Sequence, residues 1–258
     1  MDARGQRPGP ARLGAVPGDF VGDAVGVGMG PPWRVREEWG TVADLHAGSA
    51  ALVGSVGGRP PGRVVRVLHP TDRAVVLGSA QRESDVSLNA ARAAGTGVVR
   101  RRSGGGAVLV GPGLVVWIDV LLPVEDRLWE ADVGRAFWWL GSVWVAALVE
   151  AGVLGAEMWV GGLVRSRWSG RVCFAGVGPG EVVMSERKVV GMAQRRTRGG
   201  ALFQCAVPIL WDPASLLDLL TLNAAERAAG TTELGSAALG IGPAAAAPLV
   251  AALIDRLP

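Results

Sequence analysis

Between residues 171 and 210, four strand-like runs follow one another with only a few residues between them: RVCFAG, GEVVM, KVVGMAQ and ALFQCAVPIL. A parallel pair needs a crossover of a dozen residues or more, usually a helix, so runs this close pair as antiparallel neighbours. Further runs lie upstream at GRVVRVLHP (62–70), AVVLGS (74–79) and LVVWIDVLLPV (114–124), the last reading as a buried strand interrupted by Asp119 and closed by Pro123. Helical patterns are expected over 35–54, 87–95, 131–152, 213–230 and 242–258. The expected fold is α/β (α+β), with a mixed, largely antiparallel sheet flanked by helices. Strands outnumber helices, and the regular crossovers of a doubly wound parallel sheet are missing. Apolar residues cover most of the circumference of the 131–152 segment, so its tryptophans are expected in the core.

At 49% apolar and 19% charged, the 258-residue chain reads as globular. Residues 1–33, rich in Gly, Pro and Arg, read as a flexible tail without a signal-peptide core, and Met29 is a second candidate start. No run of 18 apolar residues suggests a membrane span. Two cysteines do not make a disulfide framework and point to a reducing, cytoplasmic setting. The only histidines, His46 and His69, are distant from Cys173 and Cys205 in sequence, so no metal cluster is expected. Without Gly-x-Ser-x-Gly and with so few histidines, hydrolase triads are set aside.

Lys188 is the chain's single lysine beside 25 arginines. Arginine replaces lysine where charge alone is needed, but a compact ammonium and a planar guanidinium are not interchangeable at a reacting oxygen. The lysine is either a remnant on a surface loop or a position needing a point charge. A second pattern, RRRSGGGAV (100–108), sets three cations against three glycines between strand patterns. Glycines let a backbone approach an anion, and arginines bind phosphate in a forked manner. The alternative is a hairpin turn with solvated charge.

Three motifs in order, LGSAQ (77–81), RRRSGGGAV and KVVGMA (188–193), resemble the lipoate–protein ligase A family over roughly residues 40–215. The resemblance implies the biotin/lipoate–protein ligase catalytic fold over 34–258; the large ligases also carry an accessory C-terminal domain, and no separate one is expected here, a departure from their pattern. It implies attachment of a lipoyl or octanoyl group to a lysine of a lipoyl domain, in 2-oxoacid dehydrogenase complexes or the glycine cleavage H protein. ATP with Mg would form an acyl-adenylate, and a separate accessory subunit is a further implied partner. By the same resemblance, Arg100, Gly105, Gly106, Ala107, Val108 and Gly191 line the acyl-adenylate site, and Lys188 touches the acyl carbonyl and the phosphate.

Departures fall at Phe203-Gln204-Cys205, where ligases commonly carry His-His-Gly, and at Leu109-Val110-Gly111, where an aromatic and a histidine are common. They bear on ATP-dependent activation more than on acyl binding. Single-domain octanoyl and lipoyl transferases of this superfamily carry a Cys-Phe pair before the lysine motif. Cys173-Phe174 matches it, which makes Cys173 a candidate thioester nucleophile, the alternative being a buried structural thiol. Cys205, in an apolar strand pattern, reads as structural. A non-catalytic module binding lipoate, a nucleotide or nucleic acid through RRR and RRTR is the reading from another class. Nucleic acid is disfavoured, because aromatics do not interleave with the arginines and the net charge is only +3.

Overall fold

The protein was analysed as a computed structural model, which describes residues 32–54 and 62–258. The expected tail over 1–33, with Met29, falls almost wholly outside the described residues. A seven-stranded sheet takes the order β1-β2-β6-β10-β9-β8-β7. Its strands are β1 (Arg34–Gly40), β2 (Val64–Pro70), β6 (Val115–Pro123), β7 (Ala156–Met158), β8 (Val182–Met184), β9 (Arg187–Arg196) and β10 (Gly200–Pro208). Only β1 and β2 run parallel; every other pairing in that sheet is antiparallel. A second sheet sets β3 (Arg73–Leu77) between β4 (Thr96–Arg100), parallel to it, and β5 (Val108–Val110), antiparallel. The mixed, mainly antiparallel fold expected from the close-set runs is the one observed.

Successive residues of β6 go to opposite faces, as the pleat requires. Val116, Ile118, Val120 and Leu122 join a dry core with Phe203 and Cys205 of β10, and with helices α3 (Trp138–Glu150) and α6 (Pro243–Asp255). Trp144 is fully buried there, whereas Trp138 is 39% exposed, so the tryptophan-rich helix presents one edge to solvent. On the other face, Trp117, Asp119 and Leu121 look toward helix α1 (Val42–Gly54). Among the described residues no helix is long and apolar enough to cross a membrane.

Four local expectations are corrected. Residues 35–40, read as the start of a helix, belong to the edge strand β1, because tertiary pairing with β2 overrides their polar composition. The helix starts only after Thr41, whose hydroxyl accepts from Asp44 N at 3.1 Å while Asp72 takes the Val42 N–H at 2.7 Å. RVCFAG is a single 3-10 turn over Cys173–Ala175, docked on the small sheet by Cys173 N donating to Ala107 O at 2.9 Å. The 213–230 segment is two helices, α4 (Pro213–Leu217) and α5 (Ala224–Gly235), because Asn223 and Glu226 form a reciprocal cap that restarts the chain. The first helical turn expected over 131–137 is a loop around Asp132 followed by a 3-10 turn; β7 was not expected at all.

Candidate functional site

The glycine-rich loop is held by the LGSAQ turn. Gly78 N donates to Gln81 Oε1 at 2.9 Å, and Ser79 N donates to Ser103 O at 2.9 Å. A side chain at Gly78 would lie 1.8 Å from Gly105 O, so the two loops touch backbone to backbone. Gln81 Nε2 then reaches Arg171 O at 3.2 Å, tying both loops to the Cys173 turn. Gly106 closes the third side, where a Cβ would meet Val172 N at 2.5 Å. Two motifs distant in sequence thus share one backbone cluster for a steric reason.

Between this cluster and the large sheet lies a mostly apolar cavity of about 50 Å³. Val76, Val108, Val110 and Trp117 form its apolar wall; Arg101, His46, Gln204 and Cys173 supply polar atoms. Gly191 also lines it, as does Cys205, whose thiol burial pushes well up from its ordinary value. Ala107 is buried beneath the loop, and Gly105 sits at φ +99, a conformation that favours glycine.

Of the three arginines, Arg100 is exposed and donates to Gln81 O. Arg101 is the one turned inward, at 6% exposure. Its guanidinium donates to Gly104 O (2.7 Å), Gly106 O (2.9 Å) and Val76 O (3.3 Å), and Nη2 lies 4.0 Å from Cys173 Sγ. Among the described residues no carboxylate lies within ion-pair distance of Arg101, so a buried positive charge faces the thiol with carbonyl partners only.

Lys188 is no surface remnant, being 2% exposed. Its Nζ lies 2.7 Å from Glu181 Oε1 and donates to Gly176 O at 3.1 Å and Cys173 O at 3.3 Å. All three ammonium hydrogens are thereby used, and two of them hold the Cys173 turn. Glu181 is itself fixed by Gly178 N (2.7 Å) and Met192 N (2.9 Å). The fold therefore brings Lys188, Cys173, the glycine run and Gly191 together, and leaves Arg100 outside.

Sequence reasoning missed Arg101, Glu181, Ser103 and His46. His46 arrives on α1 and shares the cavity with both cysteines in spite of the sequence distance. Burial, then the charges of Arg101 and Arg66, hold its imidazole down at about 4. Gln204, noticed only as a departure from the ligase pattern, accepts from Ser103 Oγ at 2.9 Å and meets His46 Nδ1 at 3.3 Å. Behind it Asp119 is wholly buried and burial raises it to about 6, against the opposing pull of Ser49, Arg66, Trp117 and Gln204. Among the described residues no group of three His, Cys, Asp or Glu side chains could hold a metal.

The family model described as the lipoyl protein ligase A/B catalytic domain matches residues 47–245. Among solved structures, the bipartite lipoate protein ligase of Thermoplasma acidophilum, described with its E2 lipoyl domain, aligns with TM-score 0.66 at 18% identity. That alignment covers 87% of this chain and 83% of the other. A lipoate-protein ligase A bound with ATP aligns with TM-score 0.57 at 19% identity, covering 88% and 95%. A putative lipoate protein ligase from T. acidophilum with bound lipoic acid aligns with TM-score 0.57 at 18% identity, covering 86% and 94%. No curated protein matches the sequence significantly.

Proposed function

Because the chain belongs to the lipoyl protein ligase A/B catalytic domain family, we propose that it attaches a lipoyl or octanoyl group to a lysine of a lipoyl domain. The observation that carries this reading is the cavity: a mostly apolar wall that also includes Arg101, Cys173 and His46. An aliphatic acyl chain suits the valine and tryptophan wall, and its carbonyl suits the charge of Arg101. The relatives solved with lipoic acid, with ATP and with an E2 lipoyl domain support substrate, activating nucleotide and acceptor in turn.

Two routes supply the activated acyl group. In the first, the carboxylate attacks the α-phosphate of ATP, giving an acyl-adenylate and releasing pyrophosphate. The acceptor lysine then attacks the acyl carbonyl, forming the amide and releasing AMP, and Mg²⁺ would supply charge compensation to the phosphates. The backbone from Gly105 to Val108 lines the adenylate and Arg101 supplies positive charge. In the second, the Cys173 thiolate attacks the carbonyl of an acyl-carrier thioester, releasing the carrier thiol. The acceptor lysine then attacks the Cys173 thioester, forming the amide and freeing the thiol. The position of Cys173 Sγ on the cavity wall beside Arg101 favours this second route. In either route Lys188 holds the Cys173 turn and reaches an acyl oxygen by exchanging one of its three partners, stabilising the developing oxyanion.

The test is mass spectrometry of a lipoyl domain incubated with the protein and octanoate or lipoate, with and without ATP, and with an octanoyl-carrier thioester. The thioester route predicts a hydroxylamine-labile acyl adduct on Cys173 and a Cys173→Ala protein without transfer from the carrier. Full activity of Cys173→Ala with ATP would leave the adenylate route standing alone.

A further inference from the structure

Reading the cavity as an acyl site leaves one of its side chains without a role. His46 presents its ring to the cavity and packs against the Trp117 indole at 4.5 Å. What that ring can offer a ligand depends on which nitrogen carries the hydrogen, and the surroundings decide it.

The Gln204 amide is oriented by its other neighbours. Its Oε1 receives the Ser103 hydroxyl at 2.9 Å, and it stands directly cross-strand from Asp119, whose carboxylate form its amide favours. A flipped amide would turn its oxygen toward an ionised carboxylate, which can only accept. Gln204 Nε2 is therefore a donor, and the ring nitrogen it meets at 3.3 Å, His46 Nδ1, is an acceptor. A neutral imidazole with an accepting Nδ1 carries its hydrogen on Nε2. Burial and two guanidinium charges keep a second proton off at neutral pH.

The neighbouring donors are largely committed. Arg101 directs its hydrogens at Gly104, Gly106 and Val76 carbonyls, and Lys188 directs all of its own at Glu181 and two carbonyls. The same Arg101 lines the cavity together with His46, and its charge acts on the imidazole. An acyl ligand has one strong acceptor to meet a donor there, its carbonyl; the rest of the chain offers carbon or weakly accepting sulfur.

We propose that His46 donates its Nε2–H to the carbonyl oxygen of the bound acyl group, a substrate contact supplied by α1 and set in its tautomer by Gln204. The proposal rests on the acyl-site reading of the cavity. It makes the Asp119–Gln204–His46 chain a polar relay from the sheet to the ligand, with Ser103 coupling the same amide to the glycine loop.

Octanoate binding to the full chain tests it by calorimetry and by ¹⁵N NMR of the imidazoles, of which there are only two. At pH 7 the His46 signals are expected to show the neutral Nε2–H form and to move on octanoate addition, while the signals of the half-buried His69, which does not line the cavity, stay put. His46→Phe keeps a ring against Trp117 but loses the donor, and is expected to bind octanoate about ten- to a hundred-fold more weakly. His46→Gln, which restores an N–H, is expected to recover most of that loss. A wild-type protein that binds octanoate with no shift at His46, or a His46→Phe protein that binds it equally well, overturns the contact and leaves the acyl site intact. A wild-type protein that binds neither octanoate nor lipoate overturns the acyl site and the contact together.

Discussion

Phe203 and Gln204 are neighbours on β10, yet they belong to regions with different physics. Phe203 points into the dry face, 1% exposed, with Phe137 and Trp139 edge-on to it at 5.6 and 5.9 Å. Gln204 points to the opposite face, where Ser49, Arg66, Asp119, His46 and Ser103 surround it or its partners. Gln204 lines the cavity and Phe203 does not. A packed apolar face contributes stability through close packing; a satisfied polar face contributes less but can hold a hydrogen atom at a chosen place. The two sides of one sheet thus divide stability from recognition, and substitutions on them should fail in different ways.

The largest expected effect lies on the dry face. Phe203→Ala removes a buried ring and is expected to cost about 3–5 kcal/mol. For a chain of this size that lowers the melting temperature by roughly 2–4 °C for each kcal/mol. Acyl transfer per folded molecule should stay near the wild-type value at a temperature where both are folded. A variant that melts normally but transfers poorly would erase the division.

Next comes Lys188→Arg. Lys188 is enclosed: a Cβ on Gly191 would already touch its Cε at 3.2 Å, and Phe174 lies under the ammonium at 5.2 Å. A guanidinium there overpacks the site, expected at about 1–3 kcal/mol. It also displaces the carbonyls of Cys173 and Gly176, so initial rates of transfer should fall on the order of a hundred-fold or more. Calorimetry and single-turnover rates on the same preparation check both. Near wild-type transfer by Lys188→Arg would reduce this lysine to a structural ion pair.

The division was only partly legible in the sequence. The dry face was, because Val116, Ile118 and Val120 alternate across an apolar run and need no partner to be recognised. The three glycine and lysine motifs were legible too, since Gly78 and Gly105 approach so closely that only glycine serves there. The polar face was not. Arg100 and Arg101 are adjacent and chemically identical, and which one turns inward depends on where β4 ends, at Arg100. His46 is a lone histidine on a helix that becomes part of the cavity only when Trp117 packs on it. The strand β1 escaped notice because its exposed polar residues owe their conformation to parallel pairing with β2, which follows helix α1 in sequence.

The smallest effect is the most specific, because on the polar face two buried groups oppose one another. Asp119 titrates at about 6 in the folded protein against an ordinary 3.8, so between these values the folded state holds a proton that the unfolded state has lost. Its contribution is present below pH 4 and lost as pH rises through 6. His46 does the reverse: held at about 4 against an ordinary 6.5, it is neutral in the folded state while the unfolded state binds a proton. Its contribution is present above pH 6.5 and lost as pH falls through 4. Over the same window the two slopes have opposite signs and similar size, so stability against chemical denaturation should contain little net dependence from this pair. Removing one partner exposes the other. Asp119→Asn should become more stable as pH rises from 4 to 6.5 relative to wild type, and His46→Gln should become less stable over that range. Parallel pH curves for all three proteins would show that neither group is held as the buried network requires, and the polar face would lose the feature that distinguishes it from the dry one.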